Sequence, residues 1–289
     1  MNIPWHIYRS FAQQHFPDVL KPRAKDSHKG THGTVGIIGG NVGMSGSVIM
    51  AAKAALKLGA GKVKIGFVQN SLPMPVLESQ PEIMLYTAQQ LLQQQDINAW
   101  LIGCGMGTDN NACHILQTLS EHQLHKPIVW DADALNLLAK YTKFHTLLNS
   151  NHIITPHPTE AARLLQQQTA EIQAQRTLAA LNLYQQYHCI SVLKGYQTLV
   201  QITDTQYYLN ESGHAGLATA GSGDVLAGMM VSLLAQGMDC AQAACAAVWL
   251  HGVAAEILSL QQIGPIGMVA TELIDAARQL RNQLLMTDN

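Results

Sequence analysis

The sequence predicts an α/β fold, with a mostly parallel sheet covered by helices on both faces. Three observations point there. Short apolar runs alternate with longer segments of helical periodicity along most of the chain. Most of those runs are apolar, as strands covered on both sides are. Several of them end in glycine, acidic residues or histidine, the composition expected where an open sheet binds ligand at its carboxyl edge. No linker rich in Pro, Gly or Ser divides residues 1–289, so one domain is expected.

The elements follow in order. The first twenty residues read as a helix, and "KPRAKDSHKGTHG" as a loop. "TVGIIGG" (34–40) is a buried strand ending in glycines. "SGSVIMAAKAALKLGAGKV" is a helix with Ser45 as a cap-like start and Gly59 and Gly61 as stops. "KVKIGF" and "NAWLIGCGMG" are further strands. "PIVWDADALNLLA" reads as strand, acidic turn and helix, and "HIITPHPTEAARLL" as strand, proline turn and helix. "CISVLKG" is a strand, followed by a hairpin-like pair, "QTLVQI" and "TQYYLN", which predicts a mixed edge. A helix starts near residue 222. Two more run through "CAQAACAAVWLHGVAAEIL" and "MVATELIDAARQLRNQLL". The glutamine clusters "QQLLQQQ" and "LLQQQTAEIQAQ" keep helical leucine spacing and read as solvated helix faces.

Composition narrows the function classes. Hydrophobic residues make up 47% and charged residues 12%, with a formal net charge of −2 and no basic run. That argues against nucleic acid or an anionic membrane surface as partner. The low charge predicts extensive burial or an oligomer interface. Five cysteines (Cys104, Cys113, Cys189, Cys240, Cys245), none in a C-x-x-C pair, fit a reducing, cytoplasmic setting. The first residues lack the pattern of a signal peptide. The longest apolar stretch carries Gln242, His251 and Glu256 and reads as a buried helix, not a membrane span.

The chemistry gathers at the strand ends "GGNVGMSG", "GCGMGTD", "WDADALN", "TPHPTE" and "KGYQT". With them belongs "GLATAGSGDVLAG" (216–228). A helix start preceded by glycines offers free N–H groups to an anion at close approach. Asp224 at its lip is a poor phosphate ligand. It suits a base acting on a hydroxyl that faces the phosphate, or else it is an early-turn partner of the helix dipole. The residues alone leave these two readings even. No G-x-x-x-x-G-K-[ST] occurs, and "GIIGGNVGMSG" does not make a dinucleotide fingerprint. Asp131 and Asp133 suggest either a metal pair or an acidic turn with a cap, and the cap is favoured. His157, between two prolines, also fits a turn histidine satisfied by its neighbours, and Lys194 a surface lysine. Cys104 reads as a small buried filler.

The motifs "KGTHGTVGIIGG", "MSG", "GAGKV", "GCGMGT", "DADALN", "TPHPTE", "VLKG" and "GLATAGSGDVLAG" occur in an order that resembles the ADP-dependent NAD(P)H-hydrate dehydratases, from about residue 25 to 285. The resemblance implies a ribokinase-like three-layer α/β/α sandwich. It implies dehydration of the S epimer of hydrated NADH and NADPH, with ADP as co-substrate giving AMP and phosphate, and Mg2+ as cofactor. By position it implies Asp224 as the base and Gly221, Ser222 and Gly223 as an anion hole for the transferred phosphoryl group. Lys194, Gly195, Tyr196, Gln197 and Thr198, with Gly223, resemble the nucleotide-holding segment. Ser47, Gly107 and His157, with Asp224, match positions that contact the hydrate, although members often carry alanine at the position of Ser47. Glu160 matches an acid acting on hydrated magnesium, and Asn136 a residue orienting phosphate or metal-bound water. A homotetramer and a separate epimerase partner are also implied. The nearest alternative is a thiazole or pyrimidine vitamin-precursor kinase of the same fold. A non-catalytic nucleotide sensor is a third, disfavoured by the intact Asp224.

Overall fold

The computed structural model describes residues 3–122 and 125–286. The N-terminal helix α1 (Trp5–His15) ends before Pro17, and a single 3-10 turn (Pro17–Leu20) follows. The expected twenty-residue helix is therefore shorter, because proline starts a new turn; residues 1 and 2 lie outside the described range. Next come β1 (Thr34–Gly39), α2 (Ser45–Lys57), β2 (Lys62–Phe67), β3 (Met84–Thr87), α3 (Ala88–Leu92), β4 (Ala99–Ile102) and α4 (Asn110–His122). The chain continues through β5 (Ile128–Trp130), α5 (Asp133–Lys140), β6 (His152–Ile154), α6 (Pro158–Leu165), α7 (Thr169–Ala174), α8 (Arg176–Tyr187), β7 (Ile190–Leu193), β8 (Leu199–Gln201) and β9 (Tyr207–Leu209). Three long helices close it: α9 (Ser222–Ala235), α10 (Cys240–Leu260) and α11 (Ala270–Leu284).

The strands form one sheet in the order β3-β2-β1-β4-β5-β6-β7-β8-β9. Neighbours are parallel up to β7, and β8 pairs antiparallel with both β7 and β9. The expected mixed edge is thus present. Alternation along each strand feeds two cores: in β4, Ala99 and Leu101 join the core under α2, α9, α10 and α11, while Trp100 and Ile102 join the core under α3 to α6 and α8. Both faces are apolar because both are covered. The Ala-rich helix α10 is long and apolar enough to resemble a membrane span, but most of it is buried against its neighbours.

Three features differ from the sequence reading. Ser45 does not cap α2: Met44 holds the cap position, and the Ser45 hydroxyl accepts from Gln69 Nε2 at 3.1 Å. Strand β3 and helix α8 carry no start signal strong enough to place them. β3 is a four-residue, half-buried edge strand whose conformation is set by pairing with β2.

Packing between α2 and α9 aims the site. At Gly228 a Cβ would lie 2.2 Å from the Ala51 carbonyl oxygen. Glycine there lets the two helix backbones touch. Their N-termini consequently emerge side by side at the carboxyl edge of β1, β4 and β5, on which α9 packs.

Candidate active site

Helix α9 begins on Gly221, whose φ of +84° is a left-handed conformation that glycine adopts without strain. A Cβ there would also meet the Met50 thioether at 2.4–2.6 Å. No side chain caps the helix, and Ser222 N–H makes only a long bond to Thr219 O at 3.4 Å. The positive end of α9 is thus open. It faces a cavity of about 920 Å³ lined by His157, the segment Lys194–Thr198, Ser222, Gly223 and the backbone after β9. This volume suits a mononucleotide.

Lys194 is not a solvated surface lysine. Its Nζ lies 2.7 Å from Asp131 Oδ1, with the carboxylate 3% and the lysine side chain 18% exposed. Burial alone would lower its pKa, but Asp131 and Glu160 raise it, so it stays charged. A Cβ on Gly223 would stand 3.4 Å from this ammonium. A fixed positive charge and a helix N-terminus therefore converge on one point, as an anion cradle requires.

Asp224 sits in the first turn of α9, beyond the cavity rim and half-buried. Burial, then the negative charge of Asp131, push its carboxyl up to about 6, against hydrogen bonds with Cys104 and Ser47 and the charge of Lys194. Cys104, Asp131 and Asp224 bring their polar atoms within 4.8 Å of one another. Cys104 is more than filler: its thiol lies 3.9 Å from Asp131 Oδ2. Burial and the two carboxylates push it well above its ordinary pKa, so it is a donor here and not a nucleophile.

Asp131 and Asp133 diverge. Asp131 takes Lys194 and the Thr155 hydroxyl at 2.7 Å. Asp133 accepts the Gly107 N–H at 2.8 Å and the Asn136 amide at 3.2 Å. They form no metal pair, and the acid in the turn serves structure, although Asp133 caps the Gly107 turn and not its own helix. Asn136 also accepts from Arg163 at 2.9 Å. Neither Gly107 nor Ser47 lines the nucleotide-sized cavity, and Ser47 Oγ stands 3.2 Å from the position of a Gly105 Cβ.

His157 caps a turn and also lines the cavity. Its Nδ1 accepts from Thr159 N at 3.1 Å and Glu160 N at 3.4 Å, capping α6. Glu160 returns the bond, accepting His157 N–H at 2.8 Å, and its other oxygen stands 3.4 Å from His157 Nε2. Burial, then Lys194 and Arg163, lower the His157 pKa, which favours the neutral ring. The exposed ring faces the cavity. Burial, then Asp131, raise the Glu160 pKa.

Among the lining residues that were not anticipated, one touches the cradle directly. His251 of α10 is buried at the back of the cradle, its Nε2 3.3 Å from Ser222 Oγ. Burial lowers its pKa to about 4, so it is neutral. The signal was a histidine inside an otherwise apolar helix, read only as an interruption of the apolar run.

Comparison with known proteins agrees with this geometry. The family model for NAD(P)H-hydrate dehydratase matches residues 35–279. The chain is 51% identical over 271 residues to the ADP-dependent (S)-NAD(P)H-hydrate dehydratase of Neisseria meningitidis serogroup B, covering 93% of this chain and 92% of that one. It is 39% identical to the bifunctional NAD(P)H-hydrate repair enzyme Nnr of Escherichia coli, matching 94% of this chain but only 52% of the longer relative. The fold superposes on the ADP/ATP-dependent NAD(P)H-hydrate dehydratase of Bacillus subtilis, co-crystallized with ATP/Mg2+, with a TM-score of 0.80 at 28% identity over 98% of this chain and 99% of that one. The architecture is the ribokinase-like α/β sandwich. With the family model matching residues 35–279 and a relative 51% identical across nearly the whole chain, the chain belongs to the NAD(P)H-hydrate dehydratase family.

Proposed function

We propose that the protein dehydrates the S epimer of NADHX and NADPHX, consuming ADP and releasing AMP and phosphate. The observation that carries this reading is Asp224, held near pH 6 beside an open helix N-terminus and a fixed ammonium. Hydroxide is a poor leaving group and phosphate a good one. Asp224 removes the proton of the C6 hydroxyl as its oxygen attacks the terminal phosphorus of ADP. Gly221, Ser222, Gly223 and Lys194 take up the negative charge on the transferred group. The ring nitrogen then expels phosphate from C6, and loss of a C5 proton to the departing phosphate or to water restores the C5–C6 double bond. The nucleotide lies in the 920 Å³ cavity against Gly195, Tyr196, Gln197 and Thr198, while the hydrate approaches from the side of Ser47, Gly107 and His157.

The acids suit magnesium only in part. Asp131 is neutralised by Lys194, and both oxygens of Glu160 already face His157. Burial, with a further contribution from the charge of Asp131, raises the pKa of both Glu160 and Asp224, and a divalent cation arriving with the phosphates would favour their ionised forms. Glu160, through water, and Asn136 are the residues proposed to hold it. The remaining proposals rest on lighter support: one domain, from the single continuous sheet; a cytoplasmic setting, from five free cysteines; a homotetramer, from low charge and exposed apolar residues such as Tyr196 and Ile266; and an epimerase on a separate chain.

Mixing hydrate, ADP and magnesium with the protein should restore the absorbance of reduced nicotinamide and release AMP in equal amount. ADP should outperform ATP. Persistence of the hydrate, with phosphorylation of a thiazole alcohol from ATP instead, would replace this reading with the vitamin-precursor kinase. Binding has its own check. AMP at one hundred times its dissociation constant should add about 2.7 kcal/mol of stability, visible as a melting point several degrees higher. No shift at saturation would dissociate the cavity from the nucleotide.

A further inference from the structure

At the opposite edge of the sheet lies a second chamber, of about 1050 Å³. Its walls are the loop over residues 21–32, the C-terminal ends of α2 and α9, and the last turns of α11. Helices α2 and α9 have 13 and 14 residues, each about 20 Å long at ~1.5 Å per residue. The chamber and Asp224 therefore occupy opposite ends of the same helix pair.

Two guanidiniums meet in this chamber. Arg23 Nη2 donates to the Gly59 carbonyl at 2.5 Å, and Arg281 Nη1 donates to that of Leu58. Both nitrogens lie 3.1 Å from where a Cβ would stand on Gly59, so they are at most twice that distance apart. Among the described residues, no carboxylate forms an ion pair with either. Asp18 is held by Lys21, Asp275 by Lys57 and Arg278, and Glu82 by Gln80. Asp26 lines the chamber without pairing with them. Burial and the charge of Arg23 lower Arg281 to about 10, and burial with the charges of Arg23, Arg281 and His28 lowers His32. The interior is thus electropositive.

Capping of α2 accounts for one donor from each arginine, since cations favour a helix C-terminus. It does not account for two like charges gathered before an open chamber. A guanidinium carries five N–H donors, and each of these spends one on a backbone carbonyl. Convergent guanidinium forks match the oxygens of a phosphate group. Leu233, Met238 and Leu285 supply apolar wall beyond them.

We propose that this chamber is a binding site for a phosphate-bearing small molecule, gripped by Arg23 and Arg281 and separate from the nucleotide cavity. The same chemistry admits free phosphate and a phosphate monoester. Calorimetric titration of inorganic phosphate and of glycerol 3-phosphate into the wild-type protein and Arg23→Gln isolates the chamber, because phosphate bound at the active site contributes equally to both. Affinity for the recognised probe should fall at least tenfold in Arg23→Gln, while hydrate turnover stays within twofold. An ester bound more than tenfold tighter than phosphate identifies the monoester, and equal affinities identify the free anion. Arg281→Gln should behave alike; should it fail to fold, the exposed Arg23 still decides. Tungstate soaked into crystals should give anomalous density between the two arginines. Identical isotherms for wild type and Arg23→Gln, or tungstate found everywhere but there, would overturn the proposal.

Discussion

Asp224→Asn is expected to lower hydrate turnover by about 10²–10⁴-fold, the usual cost of losing a general base, while AMP affinity is retained or slightly improved. The amide keeps the size of the carboxylate and can still meet Ser47 and Cys104, but it cannot accept the hydroxyl proton. The cradle N–H groups, Lys194 and the 195–198 segment are untouched. In the parent, kcat/KM should fall on the acid side with an apparent pKa near 6, where Asp224 takes up its proton. Stability should move the other way. A carboxyl whose folded pKa is raised stabilises the fold at pH below its ordinary value near 3.8, and that contribution is lost as pH rises through about 6. Holding the charge at pH 7.5 costs the parent on the order of 1–3 kcal/mol. Asp224→Asn should therefore melt above the parent at pH 7.5 and with it at pH 4. Asparagine serves as well as aspartate near a helix start. If Asp224 were only a dipole partner, both turnover and melting would stay near the parent values. Turnover within a few-fold of wild type would remove Asp224 from the mechanism.

The fold class and the edge carrying the site were legible because both are written in local sequence. Uniformly apolar runs such as "TVGIIGG" announce strands covered on both faces, and glycine before Asp224 announces an exposed helix start. What escaped was set by partners distant in sequence. β3 exists because β2 offers it an edge. Asp131 meets Lys194 across 63 residues, and no spacing rule predicts which of two nearby acids will turn toward it. The two readings of His157 do not exclude each other: the ring nitrogen that caps α6 fixes the face presented to the cavity. His251 was invisible for the opposite reason. Its partner Ser222 was in plain view, but nothing local ties the two helices together.

Lys194→Met should damage both fold and catalysis, and the two effects can be separated. The ammonium is the ion partner of a carboxylate that is 3% exposed. Without it Asp131 keeps only the Thr155 hydroxyl and a distant thiol. Removing one partner of a buried pair costs about 3–5 kcal/mol, and the partial exposure of Lys194 places this case at the lower end. Because the folded pKa of Lys194 is raised, its contribution is present at every pH below the ordinary lysine value and fades only as pH rises through the folded one. The deficit should therefore be constant across the neutral range. The acid limb of kcat/KM should move above pH 6, since the positive charge that restrains Asp224 has gone. Adding Asp131→Asn removes the stranded charge. The double variant should recover most of the lost stability, because deleting both members of a buried pair costs far less than deleting one. AMP affinity should not recover, since the cation beside Gly223 is still missing. Lys194→Arg restores charge on a bulkier, planar group, and should rescue stability better than turnover. A single variant that melts with the parent would deny the pair its structural role. A double variant that binds AMP as tightly as the parent would deny Lys194 its place in the anion cradle.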